Sequence, residues 1–229
     1  MISYLPMEYE KDSRGRPLPN IPLPNEIKDV SKQMSIKLYP PEYLFPTKIL
    51  TSCDGDFNSY RDDMIKWMVD YSNKNETVGK SNLGGYQSPD NFYLEESFAP
   101  FMNRISDHIM STVADYVDDK NIHVDADQLK LCNMWFNFNY KDSYNVTHTH
   151  PGCVLAGVLW VQSVEESPHI MFEAYDCFAR ASLERITHES FEPKEGFICL
   201  FPAHMPHRVD INHSEHTRIS ISFNIVQQT

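Results

Sequence analysis

The stretch LKLCNMWFNFNY, residues 129–140, decides the fold class. From Asn133 onward it alternates: Asn133, Trp135, Asn137 and Asn139 point one way, and Met134, Phe136, Phe138 and Tyr140 the other. A period of two is the mark of a β-strand, whose successive side chains leave opposite faces. One face here is apolar and the other rich in amides. That asymmetry predicts a sheet with helices packed on its outside and a polar cavity on its inside. RISISFN, residues 218–224, reads the same way, with Arg218, Ser220, Ser222 and Asn224 opposed to Ile219, Ile221, Phe223 and Ile225. With Arg218–Val226 as one strand, others are expected at Val154–Val161, His169–Phe172 and Phe197–Phe201.

Upstream of these strands the period changes. Between Asp56 and Ser72, the positions of Phe57, Tyr60, Met64, Trp67, Met68 and Tyr71 fit one face of a helix. A second helix is predicted from about Leu94 to Val117, with Phe98, Phe101, Ile105, Ile109, Val113 and Tyr116 on its stripe. Packing alone accounts for both stripes. Residues 1–50 contain RPLPNIPLPN and YPPEYLFPTKIL, too rich in proline for regular helix, and read as an extended arm. Two helices followed by many short strands predict an α+β, mainly β fold whose β part is a jelly roll or small barrel. The expected organisation is a single domain over 1–229, with an arm at 1–50, a helical support at 51–125 and a β core at 126–229.

The chain has 229 residues, with 20 Lys+Arg against 32 Asp+Glu, a formal net charge of −12. Nucleic-acid and anionic-lipid surfaces call for the opposite sign, so no nucleic-acid partner is expected. No apolar run approaches the ~20 residues that cross a bilayer. The opening MISYLPMEYEKDSRGR lacks the pattern of a secretory signal, so the expected location is cytoplasmic. Five cysteines without a CxxC pair read as reduced, packed thiols.

The histidines carry the chemistry. His148 and His150 stand in NVTHTHPG, and on an extended segment residues two apart project to one side, so both imidazoles reach one metal. An HxH pair on a solvated strand is common by chance, so this pair needs company. GFICLFPAHMPHRV, residues 196–209, supplies it with an apolar strand ending in a turn that bears His204 and His207. Arginine usually ends in a surface ion pair. Arg218, however, opens a strand whose other face is wholly apolar, which puts it on the inner face. A buried guanidinium calls for a carboxylate, and its fixed fork suits a bidentate one. No strand residue supplies that carboxylate; a small-molecule acid would.

SNLGGYQS (81–88), YNVTHTHPGCVLAGVLWV (144–161), EGFICLFPAHMPHRV (195–209) and RISISFN (218–224) together resemble a group of Fe(II)/2-oxoglutarate-dependent oxygenases of bacteria and phages. In that group HxHP, FPxxxxH and RxSxSFN recur in this order, and the resemblance spans about residues 80–227. It implies a double-stranded β-helix (jelly roll, cupin-like) with N-terminal supporting helices. The co-substrates would be 2-oxoglutarate and O2, with Fe(II) as the metal. The outcome would be hydroxylation of a substrate, with 2-oxoglutarate converted to succinate and CO2. The resemblance places Arg218 and Ser220 on the distal carboxylate of 2-oxoglutarate, and Trp135 and Asn137 in the wall toward cofactor or substrate.

One departure stands out. The usual facial triad is two histidines and a carboxylate, yet His150 falls where the carboxylate would be if His148 is the first ligand. Two assignments stay open: a metal face of His148, His150 and His207, or His150 as first ligand with Gly152 in the carboxylate position, as in members that halogenate. A cupin-type barrel that binds a metal and ligand without turnover is the competing class. The substrate is open among peptidyl residues such as proline, other side chains, nucleobases and small metabolites. The arm could exchange between subunits of a homodimer.

The remaining features are weaker. SNLGGYQS lacks a phosphate-loop pattern and reads either as a flexible loop over the site's mouth, with Tyr86 and Gln87 near substrate, or as a plain connecting turn. His204 reads as a neighbour of the site or a surface residue, and His213 and His216 as exposed. His108 and His123 have no evident partner, and no motif supports a role for His169 or His188. Cys153 bears no mark of a nucleophile, and Trp160 fits either the cofactor chamber or the core.

Overall fold

The structure, a computed structural model, describes residues 47–119, 122, 124–173 and 188–228. The expected arm up to residue 46, His123 and Cys177 lie outside these residues. Two antiparallel sheets dominate. The larger joins β1 (Leu50–Cys53), β9 (Phe197–Pro202), β6 (Leu155–Gln162), β11 (Arg218–Gln227), β4 (Leu129–Asn139) and β3 (Tyr86–Gln87), in that order. The smaller joins β2 (Asn82–Leu83), β5 (Tyr144–His148), β10 (His207–Val209), β7 (Ile170–Glu173) and β8 (His188–Phe191).

The helices α1 (Arg61–Ser72) and α2 (Ala99–Val117) cover one face of the larger sheet. Their stripes meet Met134, Phe136, Phe138, Ile219, Ile221 and Phe223 in one cluster, as the alternation in β4 and β11 requires. Phe92, Phe98 and Tyr71 stack around this cluster, with Phe92 and Phe136 ring centroids 5.0 Å apart and nearly perpendicular. A second cluster lies on the other face, where Ala156, Val158, Trp160, Cys199 and Phe201 of the larger sheet meet Ile170 and Phe172 of the smaller. Strands β6 and β9 are therefore apolar on both faces, which is why their sequences show no alternation. Trp160 belongs to this second cluster and not to the chamber of the histidines.

Three expectations need correction. Helix α2 begins at Ala99 and not near Leu94, after two short 3-10 turns at Phe92–Leu94 and Glu96–Phe98. Pro100 sets this limit, because proline lacks an N–H and is tolerated only in a helix's first turn. The region read as purely helical support contains β1, β2 and β3. SNLGGYQS is no loose flap: Asn82–Leu83 pairs with β5 in one sheet and Tyr86–Gln87 with β4 in the other, so this segment steps between the two sheets. Tyr86 is thereby turned into the core against Phe136 and Phe138, away from any substrate.

The step depends on its glycines. Gly84 has φ +78°, a backbone conformation that favours glycine. At Gly85 a Cβ would stand 2.2 Å from the Phe138 carbonyl oxygen, and backbone cannot give way there as a side-chain tip can. Gly85→Ala is expected to cost about 3 kcal/mol through lost β3–β4 pairing and overpacking, read as a shift in the urea midpoint without a change of slope. A loss below about 0.5 kcal/mol would show that the close approach is not a constraint.

Candidate metal and anion site

Strand β10 opens with His207 directly across from His148, the last residue of β5. The next matched pair is Val209 with Asn145, so β5 carries one extra residue between the two pairs. Such a bulge re-aims side chains, and here it lets Asn145 and His148, three residues apart, line the same inner cavity. His150 lies just past the strand. Its backbone N–H donates to the Ala203 carbonyl at 2.9 Å, fixing the HTHPG turn against the end of β9.

The three imidazoles converge. Ring centroids are 5.1 Å apart for His148–His150, 4.4 Å for His148–His207 and 5.0 Å for His150–His207. One ligand nitrogen from each lies within 4.8 Å of the others, and among the described residues no carboxylate joins them. The Nδ1 of His148 contacts the Val146 carbonyl at 2.8 Å, and the Nδ1 of His207 contacts the Met205 carbonyl at 2.9 Å. A carbonyl only accepts, so each Nδ1 carries the proton and each Nε2 keeps a free lone pair. This is the arrangement that orients imidazoles as metal ligands. The Nε2 atoms of His150 and His207 stand 3.2 Å apart.

Burial keeps the cluster neutral. It pushes His207 down to about 3, with the neighbouring His148 adding to the effect, and His150 down to about 4 for the same two reasons. His148 is lowered by burial as well. Neutral imidazoles are the ligating form. Gly152 sits exposed in the turn, with φ +84° and open space where a Cβ would be.

Behind the histidines the inner cavity ends at Arg218, which is 1 % exposed. Its Nη1 donates to Asn139 Oδ1 at 3.2 Å and to Ser220 Oγ at 3.1 Å, while Nε is buried with no partner. Burial pulls the guanidinium down to about 10. Every partner is neutral, so a cation is held in the interior without a countercharge from the described residues, a costly state. Asn137 and Trp135 line the same cavity, and the Trp135 ring lies 5.6 Å from that of His150. A second cavity of about 300 Å³ opens on the other side of His148 and His150, bounded by Trp135, Gln87, Asn133, Val146 and Thr149.

His148, His150, His207, Arg218, Ser220, Asn137 and Trp135 thus line one chamber, whereas Tyr86, Gly152 and Trp160 lie outside it. Sequence reasoning missed Asn145 and Ser81, which also line it. Asn145 sits in a five-residue strand with a bulge, and Ser81 precedes a two-residue strand, so neither shows periodicity. His204, His213 and His216 are exposed. His108 does have a partner, Ser52 Oγ at 2.9 Å, and is a half-buried histidine of α2. The Nδ1 of His169 contacts Ser190 Oγ at 3.3 Å. Cys53, Cys132, Cys153 and Cys199 are free thiols.

Residues 133–224, which hold every ligand candidate, match the family model described as "Putative 2OG-Fe(II) oxygenase". Over that stretch the chain is similar to the 2OG-Fe(II) oxygenases. Solved structures agree at the level of the fold. A prolyl-4-hydroxylase of Pseudomonas putida aligns over 80 % of this chain and 94 % of its own, with 11 % identity and a TM-score of 0.51. HygX of Streptomyces hygroscopicus, solved with nickel and 2-oxoglutarate, aligns over 80 % and 84 %, with 13 % identity and a TM-score of 0.55. SnoN, a non-heme α-ketoglutarate-dependent epimerase from nogalamycin biosynthesis, aligns over 80 % of both chains, with 13 % identity and a TM-score of 0.59. No curated protein matches the chain. The chain is thus a β-rich α+β fold, similar over residues 133–224 to the 2OG-Fe(II) oxygenases, with a histidine cluster able to hold a metal. No helix among its described residues is long and apolar enough to cross a membrane.

Proposed function

We propose that this chain is an Fe(II)- and 2-oxoglutarate-dependent oxygenase that hydroxylates a substrate held in the outer cavity. The two sheets are read as the superfamily's double-stranded β-helix, with the site between them. The observation that carries the proposal is Arg218: a buried guanidinium with only neutral partners among the described residues, set behind three convergent, neutral imidazoles. The donor set fits a divalent metal and the orphaned Arg218 Nε fits a carboxylate.

His148, His150 and His207 would hold the iron, and Gly152 would take no part. Bound there, iron supplies the activation of O2. Arg218 and Ser220 receive the distal carboxylate of 2-oxoglutarate, the first through its charge and the second through its hydroxyl. Asn137 and Trp135 wall the co-substrate in, and Trp135 separates it from the outer cavity. Arg218 and the wall hold 2-oxoglutarate so that its 2-oxo end lies toward the histidines, which is the positioning the reaction needs. The sum is substrate–H + 2-oxoglutarate + O2 giving substrate–OH + succinate + CO2. Three neutral ligands leave the centre one charge more positive than two histidines and a carboxylate would. A cavity of about 300 Å³ admits a single side chain or small metabolite, so a peptidyl residue such as proline is one candidate.

Anaerobic titration of the Fe(II)-loaded protein with 2-oxoglutarate tests this reading. A weak visible charge-transfer band, followed by succinate release on admitting O2, is the expected result. A protein that binds metal but develops neither band nor succinate would instead be a cupin-type binding module.

A further inference from the structure

The partner that orients Arg218 is an asparagine where a carboxylate would be the ordinary choice. Arginine can only donate, so Asn139 must present Oδ1 to it and turn Nδ2 away. That Nδ2 donates to Asn145 Oδ1 at 2.9 Å, and Asn145 Nδ2 in turn donates to Ser81 Oγ at 3.3 Å. The direction of the whole relay is therefore set by Arg218. It crosses from the larger sheet at Asn139 to the smaller at Asn145 and ends at the Ser81–Gln87 step. Asn139 is wholly buried, and its own carbonyl is tied by Asn212 Nδ2 at 2.8 Å. Its side chain is thus held in one place. An aspartate at 139 would occupy nearly the same volume, keep the contact and pair the buried cation. The neutral amide leaves that charge unmet.

We propose that Asn139 is the positioning residue that makes the Arg218 seat selective for a 2-oxo dicarboxylic acid. It orients the guanidinium through a neutral oxygen and supplies no charge of its own, so the countercharge comes from the ligand's distal carboxylate. This rests on the proposed function and adds the reason for its co-substrate preference.

Asn139→Asp is the test, because the relay can absorb it. The Asn145 amide turns over to donate to the new carboxylate, and the Ser81 hydroxyl donates to Asn145 Oδ1. Calorimetric titration of the Fe(II)-loaded protein under anaerobic conditions would compare 2-oxoglutarate with 2-oxopentanoate, which lacks the distal carboxylate. Wild type is expected to prefer 2-oxoglutarate by about 100-fold. In Asn139→Asp that preference should collapse to within about threefold, with 2-oxopentanoate binding little changed, because the seat is already filled. Metal-free Asn139→Asp should also unfold about 3 °C higher than wild type. Asn139→Ala should weaken 2-oxoglutarate about tenfold and lower the unfolding temperature. A merely structural residue would lower both affinities in parallel and destabilise the protein in both variants. Retention of the wild-type preference in Asn139→Asp, or a lower unfolding temperature for it, overturns the inference while the proposed function stands. If wild type binds 2-oxoglutarate without preference over 2-oxopentanoate, Arg218 is no dicarboxylate seat and both fall.

Discussion

Replacing His207 with alanine is expected to reduce Fe(II) affinity by about 100-fold or more and to abolish succinate formation. His207 is the most buried of the three imidazoles, it faces His148 across the β5–β10 register, and its Nδ1–H is committed to the Met205 carbonyl. No other described histidine can move into its place, since His204 points out from the preceding turn. Anaerobic titration with Fe(II), or with Co(II) followed through its visible absorption, measures the loss. His204→Ala serves as the control and should leave affinity within about twofold. A His207→Ala protein that binds metal as tightly as wild type would remove the three-histidine assignment and reopen the one built on His150 and Gly152.

The second large effect has opposite signs for function and stability. Arg218→Met should weaken 2-oxoglutarate by about 100- to 1,000-fold, the cost of leaving a buried carboxylate without its charged partner. The metal-free, ligand-free protein should meanwhile keep its stability or gain up to about 1 kcal/mol, because a buried cation with neutral partners is replaced by an apolar chain of similar length. Asn139 Oδ1 and Ser220 Oγ lose a donor in the exchange, which limits the gain. Urea unfolding of the two apo-proteins and calorimetry with 2-oxoglutarate give both numbers. A variant several kcal/mol less stable than wild type would mean that Arg218 is a structural keystone, and its buried charge would need no ligand to explain it. The trade-off expected here is common at sites that hold an unmet charge ready for a ligand.

The two effects locate the chemistry on different links of the chain from sequence to function. In the proposed reading Arg218 acts through electrostatics set by its own strand, whereas His207 acts through a geometry that no single strand contains. The proposed positioning role of Asn139 lies between them. Its place on the inner face of β4 follows from alternation, but the polarity of its amide follows from Arg218 on the neighbouring strand.

By itself the sequence determined which faces are inner and outer on β4 and β11. Alternation over seven or more residues is a local property, and burying a row of Ile and Phe under α1 and α2 leaves Asn137, Arg218 and Ser220 no other side. It also set His148 and His150 on an extended segment and left Arg218 without a carboxylate on its own strand, but it read His207 as part of a turn where the structure has it open a strand of its own. The start of α2 was misjudged because an apolar stripe continues through Phe92 and Phe98 in 3-10 turns, where only Pro100 marks the change. Tertiary structure alone decided the rest. Strands of two to five residues such as β2, β3, β5 and β10 carry too little periodicity to be read, so the pairing of His207 with His148 and the bulge that turns Asn145 inward were invisible. So was the passage of Ser81–Gln87 from one sheet to the other, which depends on the approach of Gly85 to the Phe138 carbonyl. Side chains choose a face by local chemistry, but a site forms where two sheets meet, and that meeting is fixed by contacts far apart in the chain.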